Sequence, residues 1–255
     1  MELNFTNFLN PMLMIGLRVS GLVLFAPLFG SAAIPMRIKA TLVILVTAVL
    51  YPVLAARVGG AAVAKWPLTV IHELAVGIVL GLAANLLFEA VQLAGQVMSI
   101  QMGYSLVSIL DPQTQAESTV VALFHQTIAM LIFLSMNVHH ALLRVATSSF
   151  DYLPVSSAQV SSPFTVATLK LGGTVFSLGV RIAAPVIAAT LVADLAIGLM
   201  GKASPQMPLI LLGPAVKSLL GITVLVGVLG FWPVLLEGWF SNSLAYAEKL
   251  LHLAR

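Results

Sequence analysis

The sequence contains no cysteine. That one absence removes disulfide staples, thiol nucleophiles, iron–sulfur clusters and cysteine-ligated zinc together. Charge is almost as scarce: charged residues make up 8% of the 255, where a soluble domain carries roughly 25%. So few charges cannot clothe a soluble core, and the surplus apolar surface must face lipid or other protein. There is no basic run either. The twelve Lys and Arg are scattered singly, as interfacial anchors and loop charges are, so no nucleic-acid partner is expected. The start of the chain lacks the positive stretch of a cleavable signal, because no basic residue precedes Arg18. The first apolar stretch is therefore expected to remain as structure. No glycine-rich phosphate loop is present, which argues against an ATPase.

What is present is apolar: 60% of the residues, with a mean hydropathy of +1.06. Six long stretches stand out, Met12 to Ile34, Ala40 to Ala56, Leu68 to Gly95, Val120 to Val138, Leu169 to Met200 and Met207 to Leu236. Each approaches or exceeds the roughly 20 residues that cross a bilayer as a helix. Leu, Ala, Val and Ile dominate without the alternation of barrel strands. The expected fold class is all-α, a helical integral membrane protein of hairpins with kinked or re-entrant segments. The kinks are expected because the stretches carry Pro27, Pro185, Pro214 and Pro233, and charges such as Arg18, Glu73, Glu89, Arg181 and Asp194. A charge at the bilayer centre costs about 2.5–3.5 kcal/mol. These helices must therefore pack against protein or a water-filled passage over much of their length. Assigned alternately to two sides, the basic residues of the connections divide three against six, which places Arg57 and the C-terminus on the cytoplasmic side if all six stretches span. The connections from Asp111 to Ser118 and from Asp151 to Pro163 are polar enough to be loops. No internal repeat is evident.

One pattern carries more information than the rest. Asn85, Glu89, Gln92 and Gln96 are spaced four, three and four residues apart, so on a helix they fall within about 60° of one another. Ser99 and Gly103 continue the line. Such a polar stripe on an apolar helix must turn away from lipid. It is either a hydrogen-bonded seam between helices or one wall of an aqueous passage. Beyond it, an apolar run from Leu106 to Leu110 leads into Asp111-Pro112-Gln113-Thr114-Gln115. Proline disfavours helix at the residue before it, so the chain breaks there. The segment is either an exposed connection or a buried loop that constricts a passage.

Sites for chemistry fare poorly. His139 and His140 are adjacent, so on a helix they point about 100° apart and cannot both ligate on one face. His72-Glu73 lacks the second histidine of a metalloprotease, since Val76 stands there, and Gly103-Tyr104-Ser105 lacks the closing glycine of a serine-nucleophile turn. No catalytic residue, metal or cofactor is expected. The rival to a structural role is a stand-alone ion-coupled transporter using Glu73, Glu89, Arg181 and Asp194.

Several runs, taken in order, resemble the FliR/SctT family of type III export gate subunits. They include Arg18-Val19-Ser20-Gly21, Ala26-Pro27-Leu28-Phe29-Gly30 and Ile34-Pro35-Met36-Arg37-Ile38-Lys39. Val91-Gln92-Leu93-Ala94-Gly95-Gln96, Gln101-Met102-Gly103 and Asp111-Pro112-Gln113-Thr114 continue the likeness, as do Asn137-Val138-His139-His140, Ala184-Pro185-Val186 and Asp194-Leu195-Ala196-Ile197-Gly198. It runs from about residue 10 to 235. The resemblance implies a pore-forming, non-catalytic subunit of the flagellar export gate. FliP-like and FliQ-like subunits, and an FlhB-like one, would be its partners in the bacterial inner membrane at the flagellar basal body, with unfolded polypeptides as cargo. It also implies a FliP-like portion over residues 1–168, and a FliQ-like hairpin with a C-terminal tail over 169–255. A plug would lie within 106–117, at Leu106, Val107, Ile109, Leu110, Asp111, Pro112, Gln113, Thr114 and Gln115. The sequence departs from the family pattern at Gln115, where many relatives have Gly, and at Asp194, where Asn is commoner.

Overall fold

A computed structural model of the chain describes residues 5–31, 33–58, 66–104, 120–157, 161–206 and 209–254. Among them lie eight helices and no strand. These are α1 (Phe5–Phe25), α2 (Met36–Val58), α3 (Trp66–Gln101), α4 (Val120–Ser135), α5 (Val138–Tyr152), α6 (Ser162–Ala203), α7 (Leu209–Leu229) and α8 (Trp232–Leu253). Five are long and apolar enough to cross a membrane, and α4 with α5 makes a sixth if that bent pair is one span. The chain is an all-helical membrane protein, as the composition requires.

The helix ends depart from the apolar stretches for local reasons. The stretch to Ile34 is not one helix, because α1 stops at Phe25 and the chain turns at Pro27 and Leu28, whose φ is +71°. Lys39 of α2 ties down that turn by donating to the Gly30 carbonyl at 3.0 Å. The stretch to Val138 breaks at Asn137, which adopts a left-handed φ of +55°, and α4 and α5 meet at 64°. The last stretch breaks at Gly230 and Phe231, and α8 then starts with Pro233 in its first turn. Proline is tolerated there because the first amides of a helix have no intrahelical partner. The connection expected over 151–163 is shorter: Asp151 and Tyr152 end α5, Ser162 and Pro163 begin α6, and 158–160 lie outside the described residues.

The chain forms two compact units, each assembled from separate pieces of sequence. Unit one comprises residues 1–87, 133–172 and 239–255, and unit two comprises 88–132 and 173–238. Helices α3, α4, α6 and α8 each contribute to both.

In unit one, α1 and α3 approach at backbone distance. A Cβ on Gly77 would collide with the Arg18 carbonyl, and one on Gly21 would lie 2.5 Å from the Leu74 carbonyl. The Gly77 and Gly81 pair is thus a close-packing device. Met14, Leu22, Leu54, Leu80 and Leu250 fill the core around it.

Unit two repeats the device. A Cβ on Gly95 of α3 would collide with Ala122 of α4. Gly179 of α6 packs on Ala90 and Leu93, and Gly221 of α7 on Met102. Helix α3 closes with Gly103 at φ +88°, and the Tyr104 amide donates to the Ser99 carbonyl at 3.0 Å. This six-to-one bond across a left-handed glycine is a Schellman end.

Candidate functional site

The largest fully buried side chain among the described residues is that of Arg18, 1% exposed on α1. Its Nε donates to Glu73 Oε2 on α3 at 2.8 Å, and Nη2 lies 2.7 Å from the same oxygen. Nη1 donates to Ser149 Oγ on α5 at 2.8 Å, Nη2 to the Leu153 carbonyl at 3.1 Å, and the guanidinium sits 3.8 Å from the centre of the Phe150 ring. Glu73 Oε1 in turn accepts from the Ser156 amide at 3.1 Å, where Ser156 takes a left-handed φ of +68°. One ion pair thus joins α1, α3, α5 and the turn that follows α5. The charges are matched and hydrogen-bonded, which is the condition for keeping ions out of water. By contrast, the Arg57–Asp151 pair, at 2.7 Å, is about half exposed on both sides. Such surface pairs contribute little.

The polar stripe lies on an unbroken stretch of α3, so its four residues do share one helix face. Glu89 is exposed on the isolated chain, and Asn85, Gln92 and Gln96 are half-buried. Ser99, on the same line, is fully buried. The segment singled out as a plug, Leu106 to Glu117 with Asp111 and Pro112, lies outside the described residues. Its approach is described, and the Schellman end at Gly103 turns the chain out of α3 just before it.

The charges expected to be buried divide into two kinds. Arg18 and Glu73 are buried by the chain itself, whereas Arg181 and Asp194 are exposed on the isolated chain. Asp194 pairs with Lys217 at 2.5 Å across α6 and α7. Glu73 is held by Arg18 in unit one and Asp194 by Lys217 in unit two, so nothing supports the four-residue ion site of a transporter. His125 is fully buried, with Nδ1 2.7 Å from the Val121 carbonyl and its ring 4.7 Å from that of Trp232. The His139 and His140 rings lie 4.2 Å apart. No cluster of three His, Asp or Glu suited to a metal occurs among the described residues.

Sequence reasoning singled out Arg18 and Glu73 but not their pairing, nor Ser149, the Leu153 carbonyl and the Ser156 amide. The available signal was a lone cation in one apolar helix, Arg18, and two carboxylates in another, Glu73 and Glu89. The serines gave none.

These features define a class: an all-helical membrane protein whose polar groups fasten helices together. The family can be named as well. A profile of bacterial export proteins, family 1, matches residues 9–243, and the chain belongs to that family. It is 30% identical over 225 residues to the flagellar biosynthetic protein FliR of Pectobacterium carotovorum, covering 88% of this chain and 86% of the relative. The FliR proteins of Bacillus subtilis and Escherichia coli are 28% and 29% identical, covering 94% of this chain and 94% of the relative, and 89% and 87%, respectively.

Proposed function

We propose that this chain is the FliR-type, pore-forming subunit of a flagellar type III export gate and that it has no catalytic role. In this reading it sits in the bacterial inner membrane at the flagellar basal body. It assembles with FliP-like and FliQ-like subunits and an FlhB-like one, and passes unfolded polypeptides. Residues 1–168 play the FliP-like part, and 169–255 form the FliQ-like hairpin and tail. The single observation that carries the reading is the near full-length similarity to flagellar FliR proteins. The physical chemistry agrees. Glu89, Arg181 and Asp194 lie well inside apolar helices yet are exposed on the isolated chain. In hydrocarbon the Arg181 charge would cost about 2.5–3.5 kcal/mol, so partner subunits or an aqueous passage must meet it. The stripe of Asn85, Glu89, Gln92 and Gln96 is the wall of that passage.

The segment from Leu106 to Glu117 seals the passage at rest. Leu106, Val107, Ile109 and Leu110 exclude ions by excluding water. Asp111 through Gln115 hydrogen-bond around the mouth, and Pro112 keeps the chain from continuing as a helix along the wall. Deleting Leu110 to Gln115 should leave the gate assembled and make it leak small ions, read as raised conductance in planar bilayers. An assembled gate with wild-type conductance would contradict the plug.

A further inference from the structure

Two cations inside apolar helices have a carboxylate beside them: Arg18 has Glu73, and Lys217 has Asp194. Arg181 of α6 is a third cation of this kind. It stands exposed, in no ion pair among the described residues. It lies near the middle of a 42-residue helix. At 1.5 Å per residue that is about 30 Å from either end, so its side chain cannot carry the charge past an end of the helix. Whatever neutralises Arg181 must come to it from outside the chain.

The surface around Arg181 bears on what that is. Residues three, four and seven apart share one helix face. On this face Thr174 and Ser177 precede Arg181, Ala184 and Ala188 follow it, and all four are exposed. Val192 and Leu195, 68% and 67% exposed, continue the line. From Ala184 onward the face is therefore apolar for about three turns. The α3 stripe differs, because Asn85, Glu89, Gln92 and Gln96 put a polar group at every turn, as a wall against water needs. A lone cation on an apolar face suits a single anion brought by a solid neighbour. The side chains beside it leave room for one. Gly173 has open space where a Cβ would go, and Ser177, Ala184 and Ala188 are short, so a second helix can approach closely. The chain contains the same arrangement completed. Helices α1 and α3 meet at Gly21 and Gly77, with Arg18 bonded to Glu73 and to the Ser149 hydroxyl. Arg181 and Ser177, one turn apart, supply the cation and the hydroxyl, and lack the carboxylate.

We propose that the Arg181 face of α6 docks an apolar helix of a neighbouring subunit that carries a carboxylate. That carboxylate accepts two hydrogen bonds from the Arg181 guanidinium, whose planar fork matches it, and the Ser177 hydroxyl donates a third. Charge complementarity selects the partner, and the small side chains let it come close. The inference rests on the gate reading, which supplies the neighbouring subunits.

The full chain is co-expressed with FliP-like and FliQ-like subunits and the complex is recovered in mild detergent. Arg181→Glu should cut the recovered complex at least about ten-fold, as loss of one partner of a desolvated charge pair does. Arg181→Lys, which keeps the charge without the fork, should retain more of it. Each Asp or Glu in the apolar helices of the other subunits is then changed to Arg in the Arg181→Glu background, and one such swap should restore the complex. Undiminished recovery with Arg181→Glu overturns the proposal, and so does the absence of any restoring swap, the result expected if a lipid or solvent anion meets Arg181. Because the chain has no native cysteine, Ser177→Cys and Ala184→Cys report what covers the face. In the assembled gate both should react several-fold more slowly with a charged, water-soluble thiol reagent than after unfolding in dodecyl sulfate. Equal rates would mean that water meets Arg181 and would also overturn the proposal. If the unaltered chain forms no complex with those subunits, the gate reading fails and this inference with it. A complex that forms and is indifferent to Arg181→Glu sinks this inference alone.

Discussion

Arg18 is a cation inside an apolar helix, and everything around it answers that fact. Glu73 supplies the countercharge, Ser149 and the Leu153 carbonyl take the remaining donors, and Phe150 presents a ring face. Removing one ion of a buried pair leaves the other uncompensated, which typically costs about 3–5 kcal/mol. Arg18→Met should therefore destabilise unit one by roughly that amount, read as a lowered unfolding midpoint in detergent. Arg18→Met with Glu73→Leu should lose less than the two single changes added together, because no lone charge remains. If the single and double changes cost the same, or nothing, the pair is not what joins α1 to α3 and α5.

At the scale of the helix, the glycines make opposite predictions according to what they touch. Gly77 lies against the Arg18 carbonyl and the Leu22 amide, while Gly172 on α6 has open space where a Cβ would go. Gly77→Ala must push α1 and α3 apart, and should lower the unfolding midpoint or prevent accumulation of the chain. Gly172→Ala adds a side chain that meets nothing and should stabilise by up to about 1 kcal/mol through helix propensity alone. Equal effects at the two sites would show that helix contact does not govern either.

The helices themselves were legible because long runs of Leu, Val, Ala and Ile leave little other choice. Their ends were not. The break at Asn137 has neither Gly nor Pro to announce it, and α8 mixes Glu237, Ser241 and Glu248 with its apolar residues, so no hydrophobic run marks it. The stripe on α3 could be read because it is local, set by one helix's periodicity. The Arg18–Glu73 pair, 55 residues apart, could not, because only packing joins two helices that distant in sequence. The same holds for Asp194 and Lys217.

For the whole molecule, the decisive quantity is how much of its surface the chain leaves unsatisfied. Arg181 stands exposed partway along the apolar helix α6, in no ion pair among the described residues. A membrane protein built this way should be incomplete alone. The most direct measurement is the mass of the particle purified in mild detergent, with and without co-expressed FliP-like and FliQ-like subunits. A stable complex should form with them, and degradation or aggregation should follow without them. A monodisperse, long-lived monomer that ignores those subunits would contradict the assignment of this chain to an export gate.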